Sequence, residues 1–150
     1  MTDHTSSPEV VARVRSSFDR QAFMKTVGAR LVSVEPGVVV IEWPFSSELT
    51  QQHGFLHAGV VTAVADSACG YAAFSLMPDG AAVLSVEFKV NLMKPAAGER
   101  FRAVGRVLRA GRTLTVCSAE VQAYRGGEET TIAVLQGTMM AVRDNPGLVG

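Results

Sequence analysis

The sequence predicts an α+β architecture: a curved, mostly antiparallel sheet of about six strands wrapped around one long helix, with an extra helix at the N-terminus. Three observations lead there. The run from His57 to Leu76 is apolar nearly all round, so it must be enclosed. Two β-type runs precede it and four follow it. Turn-forming residues separate these runs at Pro36-Gly37, Pro78-Asp79-Gly80, Gly111-Arg112 and Gly126-Gly127.

The elements follow in order. Pro8 to about Gly28 reads as one helix, with Ser7 as its cap, Pro8 in its first turn, and Val10, Val14, Phe18 and Ala22 near helical spacing. Ala29 to Phe45 reads as a hairpin about Pro36-Gly37, and Pro44 confines its second strand to an end or an edge. Ser46 to Leu56 is a polar loop. In the long helix, Ala63, Ala65, Ala68, Gly70, Ala72 and Ala73 let a sheet approach closely. Ala82 to Met93 then alternates, with Val86, Phe88, Val90 and Leu92 on one face and Ser85, Glu87, Lys89 and Asn91 on the other. Arg100 to Ala110, Thr113 to Tyr124 and Thr130 to Val142 complete the sheet. The tail from Asp144 is expected to fray. A single curved sheet leaves edges to cover, and a symmetric dimer that extends the sheet is the usual remedy.

Composition narrows the function. The 150 residues suit a single domain, 1–150, with a core of about 27–143, and 47% of them are apolar, too many for a disordered chain. Lys plus Arg and Asp plus Glu are 14 each, which argues against a general nucleic-acid binder. Cys69 and Cys117 read as lone buried thiols. Three scattered His without spaced Cys or carboxylate partners suggest no metal site. From Ala58 to Met77 the one charge is Asp66, but Thr62, Ser67, Ser75 and many small residues favour a buried helix over stable membrane insertion. Met1 to Pro8 shows no secretory pattern, so a cytoplasmic location is expected.

The densest chemical signal runs from Gln51 through Gly54, His57-Ala58-Gly59 and Asp66 to Ser67. It combines a polar loop, a helix N-terminus and a carboxylate two turns in. Asp is a poor helix former and costly to bury alone. Either it is bonded to Ser or backbone groups within the core, or it has a chemical role.

This run resembles the acyl-CoA thioesterases of the PaaI type, within the hotdog superfamily. Their pattern is Asn or Gln, a Gly, His-Gly-Gly, and an Asp eight residues past the middle of that triplet. Gln51, Gly54, His57-Ala58-Gly59 and Asp66 fill those places. The likeness continues through Leu84 to Leu92, Pro95, Gly98, Arg109 to Thr113 and Gly137-Thr138, and so covers most of Val27 to Val142. With Gln51 and His-Ala-Gly it is most similar to bacterial medium- and long-chain acyl-CoA thioesterases. Ala58 departs from the usual Gly, and Gln51 stands where many members have Asn.

The resemblance implies a hotdog fold and hydrolysis of acyl-CoA thioesters. N–H groups at Ala58 and Gly59 would polarise the carbonyl from a helix N-terminus. Asp66 would be general base to a water, or nucleophile. Gln51 would reach the carbonyl or a water, and Ser85 would orient the water. A thiolate, with a conjugate-acid pKa of roughly 8.5, leaves without strong protonation. His57 and His53 would lie near the substrate, His57 chiefly holding the loop, and Arg109, Gly111 and Arg112 would meet CoA phosphates. Coenzyme A is part of the substrate, so no resident cofactor is expected. The groups would converge across the interface of a homodimer, or of a dimer of dimers, with Ser85 and Asp66 drawn from different subunits. Two rivals share the fold. A dehydratase needs a base beside the carbonyl, usually His with a carboxylate, and no His lies at helical spacing from Asp66. A non-catalytic acyl-CoA-binding protein has no need of a lone buried acid.

Overall fold

The computed structural model describes residues 6–150; the first part of the polar N-terminal segment, Met1 to Thr5, lies outside the described residues. The elements are α1 (Pro8–Arg20), α2 (Ala22–Val27), β1 (Arg30–Glu35), β2 (Val38–Pro44), a 3-10 turn at Ser47–Leu49, α3 (Ala58–Phe74), β3 (Ala82–Leu92), β4 (Arg100–Ala110), β5 (Leu114–Arg125) and β6 (Glu128–Val142). All strand pairs are antiparallel, in the order β1-β2-β4-β5-β6-β3. Helix α3 touches β2, β4, β5, β6 and β3. Five strands laid flat span about 19 Å, far more than a helix is wide, so the sheet must curl around α3. This is the expected hotdog arrangement.

Small residues set how closely the layers meet. A Cβ on Gly105 of β4 would overlap the carbonyl of Ala68, so helix and sheet are in backbone contact there. The C-terminal end of α3 is tied to the β1–β2 turn. Ser75 Oγ donates to the Ala72 carbonyl at 2.7 Å and accepts from the Gly37 N–H at 2.9 Å. Gly37 adopts φ 73°, a left-handed conformation that suits glycine. Pro44 is the last residue of β2, as its missing N–H requires.

Three expectations are corrected. The first helix begins as expected, with Ser7 capping Val10 and Pro8 in the first turn. It does not run on to Gly28. Gln21 is extended (φ −78°, ψ 100°) and separates α1 from α2, so Val14 and Phe18 are buried while Ala22 is exposed. Second, the tail from Asp144 folds back over α1, where Arg20 donates to the Gly150 carbonyl at 2.8 Å. Third, the alternation along β3 is broken. The pairing with β6 shifts between Ser85 and Glu87, leaving Val86 as a bulge. Glu87, with Lys89 and Asn91 in step, therefore lies on the outer face, where its carboxylate accepts from Thr138 Oγ1. Ser85 turns inward to α3.

Strand β3 is an edge strand, and Leu84, Val86, Phe88 and Leu92 along it, with Met93 just past its end, are all exposed. None of the helices among the described residues is long and apolar enough to cross a membrane.

Candidate active site

Asp66 lies in the middle of α3, and Ser85 Oγ donates to its Oδ1 at 2.7 Å. Asp66 Oδ2 has no hydrogen-bond partner among the described residues. Burial pushes the carboxyl above the ordinary carboxylate range, and the Ser85 hydrogen bond works against that shift. Ser85 also lies 3.4 Å from Met139 Sδ. The pair forms within one chain, not between subunits as expected from the resemblance. The bulge at Val86 is the reason, because it aims Ser85 at α3.

A second group gathers where α3 begins. His57 is the N-cap, and its Nδ1 accepts from the Gly59 N–H at 2.8 Å. The ring proton therefore sits on Nε2. A Cβ on Gly59 would come within 2.9 Å of His57 Nδ1, so glycine makes room for the cap. This corrects the expectation that Gly59 donates to a substrate: its N–H is already used. The Ala58 N–H has no partner among the described residues. Gln51 Oε1 accepts from the His53 N–H, which leaves Gln51 Nε2 free to donate. Gln51 and Ala58 line one cavity of about 400 Å³ together with Phe55, Leu92, Met93 and Lys94. His53 itself is exposed in the loop and does not line it.

The two groups are separate within one chain. Eight residues along α3 place Ala58 and Asp66 about 12 Å apart along the helix axis and about 80° apart around it. Asp66 and Ser85 open onto a different cavity, of about 200 Å³.

Arg109, Gly111 and Arg112 form the exposed tip of the β4–β5 hairpin. The Gly111 N–H donates to the Leu114 carbonyl at 2.9 Å, and a Cβ on Gly111 would overlap that oxygen, so the turn itself requires glycine. Arg143 donates to the Arg112 carbonyl at 2.9 Å. Neither Arg109 nor Arg112 is in an ion pair among the described residues. The tip shares an end of the sheet with Ser85: Ala110 pairs with Thr115, Thr115 with Met139, and Met139 with Ser85. Cys69 and Cys117 are buried free thiols, and burial pushes Cys117 up to about 11, so neither supplies a thiolate near neutral pH. Among the described residues no three His, Cys, Asp or Glu side chains cluster as metal ligands would.

A sequence profile described as the thioesterase superfamily matches residues 53–130, which include the α3 cap, Asp66 and Ser85. The chain belongs to the thioesterase superfamily. It is accordingly a thioester hydrolase of the PaaI-type hotdog group. A crystal structure of a thioesterase family protein from Silicibacter pomeroyi is 55% identical, with a TM-score of 0.89 over 89% of this chain and 98% of that one. Human acyl-coenzyme A thioesterase 13 is 30% identical over 123 residues, 81% of this chain and 86% of its own length. The E. coli PaaI protein, at 21% identity, shares the fold with a TM-score of 0.82 over 92% of this chain and 96% of that one.

Sequence reasoning about this thioesterase missed Gln21. It lies at the break between α1 and α2, and its side chain reaches α3. Ser67 Oγ donates to Gln21 Oε1 at 3.1 Å, and Gln21 Nε2 donates to Tyr71 OH at 3.2 Å. All three line the Asp66 cavity. A Gln in a helical run carries no signal of such a role. Phe55 lines the Ala58 cavity and Tyr71 the Asp66 cavity, while Phe74 is wholly buried in the core.

Proposed function

We propose that this thioesterase hydrolyses acyl-CoA thioesters at a site built from two subunits, with the Asp66–Ser85 pair of one chain facing the Ala58–Gln51 group of the other. The observation that carries this reading is the pairing of a free backbone donor and a free carboxylate oxygen that one chain keeps about 12 Å apart on a single helix. Either half alone is incomplete. The apolar edge of β3 favours the way they would be joined. Two copies related by a two-fold axis pair their β3 edges antiparallel. The Leu92 end of one strand, which lines the Ala58 cavity, then lies beside the Ser85 end of the other.

The chemistry follows from the groups. The thioester carbonyl oxygen accepts from the Ala58 N–H, at a helix N-terminus, and from Gln51 Nε2, so charge developing on it meets donors already in place. That the donor at position 58 is a backbone N–H explains why Ala serves where relatives of the motif carry Gly. Ionised Asp66 acts through Oδ2, as base toward a water or as nucleophile toward the carbonyl carbon. Ser85 holds Oδ1 and so orients the carboxylate. A raised pKa strengthens Asp66 as a base. CoA phosphates would lie toward Arg109 and Arg112, at the Ser85 end of the sheet. Acyl-CoA is favoured as the substrate class because human acyl-coenzyme A thioesterase 13, similar over most of its length, is named for that activity. The dehydratase alternative gains nothing, since no His is hydrogen-bonded to Asp66 among the described residues.

The test is Asp66→Asn. It keeps size and hydrogen-bonding capacity while removing the charge. The kcat for acyl-CoA should fall by at least about 100-fold with KM little changed. Stability at neutral pH should hold or rise. A carboxyl whose folded pKa is raised loses its stabilising contribution as pH climbs through that value, and Asn carries no such loss. A folded variant with near-parental kcat refutes the proposed role.

A further inference from the structure

The cavity beside Asp66 has a lining that simple hydrolysis of a saturated acyl chain does not require. Its volume is about 200 Å³, and an apolar cavity of about 150 Å³ holds a molecule the size of benzene. Asp66 and Ser85 stand on one side of it, Gly70 and Val83 contribute to its wall, and the polar side chains of Ser17, Gln21, Ser67 and Tyr71 line the rest. These four are linked. Ser17 Oγ lies 3.5 Å from Tyr71 OH, Gln21 Nε2 donates to Tyr71 OH, and Ser67 donates to Gln21 Oε1. The network is built, not incidental. Gln21 is the residue at which α1 stops and α2 starts, so its extended backbone is what delivers its side chain to α3. Tyr71 is buried, with its ring packed edge-on against Phe18 and Phe74.

The hydrogen-bond inventory leaves capacity toward the cavity. Gln21 Nε2 has two protons and uses one. The Tyr71 hydroxyl accepts from Gln21 and gives its own proton to no strong acceptor. A methylene chain placed here would strip water from these groups and return nothing, at the cost of burying unpaired polar atoms. An oxygen placed here would be met by donors.

We infer that the cavity between α3 and the α1–α2 break is the acyl-end pocket, and that Gln21 and Tyr71 select a short acyl group bearing a hydroxyl or keto oxygen over a saturated one. The inference rests on the proposed function, because it places the carbonyl next to Asp66 and the acyl group beyond it. Gln21 and Tyr71 are specificity residues in this account. They do not touch the reacting atoms.

The experiment measures kcat/KM for butanoyl-CoA and hexanoyl-CoA and for their terminally hydroxylated counterparts, in the parent, Gln21→Leu and Tyr71→Phe. The parent should prefer one of the hydroxylated substrates by about tenfold, the scale of one hydrogen bond to an otherwise unpaired group. Both variants should reduce that ratio to near one, chiefly through slower reaction of the hydroxylated substrate. A circular dichroism spectrum and melting temperature close to the parent's show that Gln21→Leu is folded. Tyr71→Phe keeps the buried ring and tests the oxygen alone. A parent ratio at or below one for both pairs overturns the inference while leaving thioester hydrolysis intact. So does an equal loss on both substrates of a pair in both variants, which marks the network as purely structural. A parent inactive on every acyl-CoA in the panel defeats the functional reading itself.

Discussion

The two ends of the chemistry on α3 are built from different materials. At the helix start the main group proposed to act is a backbone N–H, with Gln51 Nε2 beside it: His57 takes the Gly59 N–H, and Gln51 is fixed through its oxygen. Eight residues later the useful group is a side chain, and the fold serves to prepare that: burial raises the Asp66 carboxyl, and a bulge on another strand brings in Ser85. On the proposed roles, the first arrangement should tolerate side-chain replacement at position 58, and the second should tolerate none at position 66.

The sharpest test of the helix start removes the N–H without removing the helix. Position 58 is the first helical residue, where proline is well accepted. His57, at φ −62° and ψ 135°, already has the conformation that precedes proline. Ala58→Pro should therefore fold, and kcat should fall by about 100- to 1,000-fold, the loss expected for one oxyanion donor. Ala58→Gly should change it by only a few-fold. If the proline variant matches the parent, the backbone donor is not used.

A smaller effect is expected from separating the two halves without touching either. Phe88 is exposed on the β3 edge, away from both cavities. Phe88→Glu places charge on that edge, and light scattering should show a lower mass with at least about tenfold less activity. A fully active monomer contradicts the two-subunit site.

The smallest effect probes the carboxylate's support. Ser85→Ala should slow the reaction several-fold, in keeping with one lost hydrogen bond. It should also move the acid limb of the pH profile to higher pH, because the Ser85 hydrogen bond lowers the Asp66 pKa and only the ionised form reacts. An acid limb moving to lower pH contradicts this assignment.

The comparison also explains what was legible in the sequence. The helix-start group lies within nine residues of one loop and one helix, from Gln51 to Gly59, so local spacing reveals it. The long apolar helix and the turn pairs reveal the sheet around it in the same way. Ser85 is different. Residues 84 to 92 alternate without interruption in the sequence, and nothing in that pattern marks Val86 as a bulge; the register with β6 decides it. Gln21 is different again. The α1–α2 break contains neither Pro nor Gly, and it arises where a side chain bonds across to α3, a tertiary effect that local propensity does not carry.

The central claim is that Asp66 of one chain works with Ala58 of another, and a mixed dimer tests it most directly. Asp66→Asn and Ala58→Pro chains carrying different affinity tags are co-expressed, and the heterodimer is isolated by tandem purification. If the site is shared between chains, one site of the heterodimer carries both defects and the other carries none. Activity should then return to about half the parental rate per dimer, one intact site of two, although each homodimer is nearly inactive. If each site lies within one chain, every site carries one defect. A heterodimer as inactive as its parents contradicts the account.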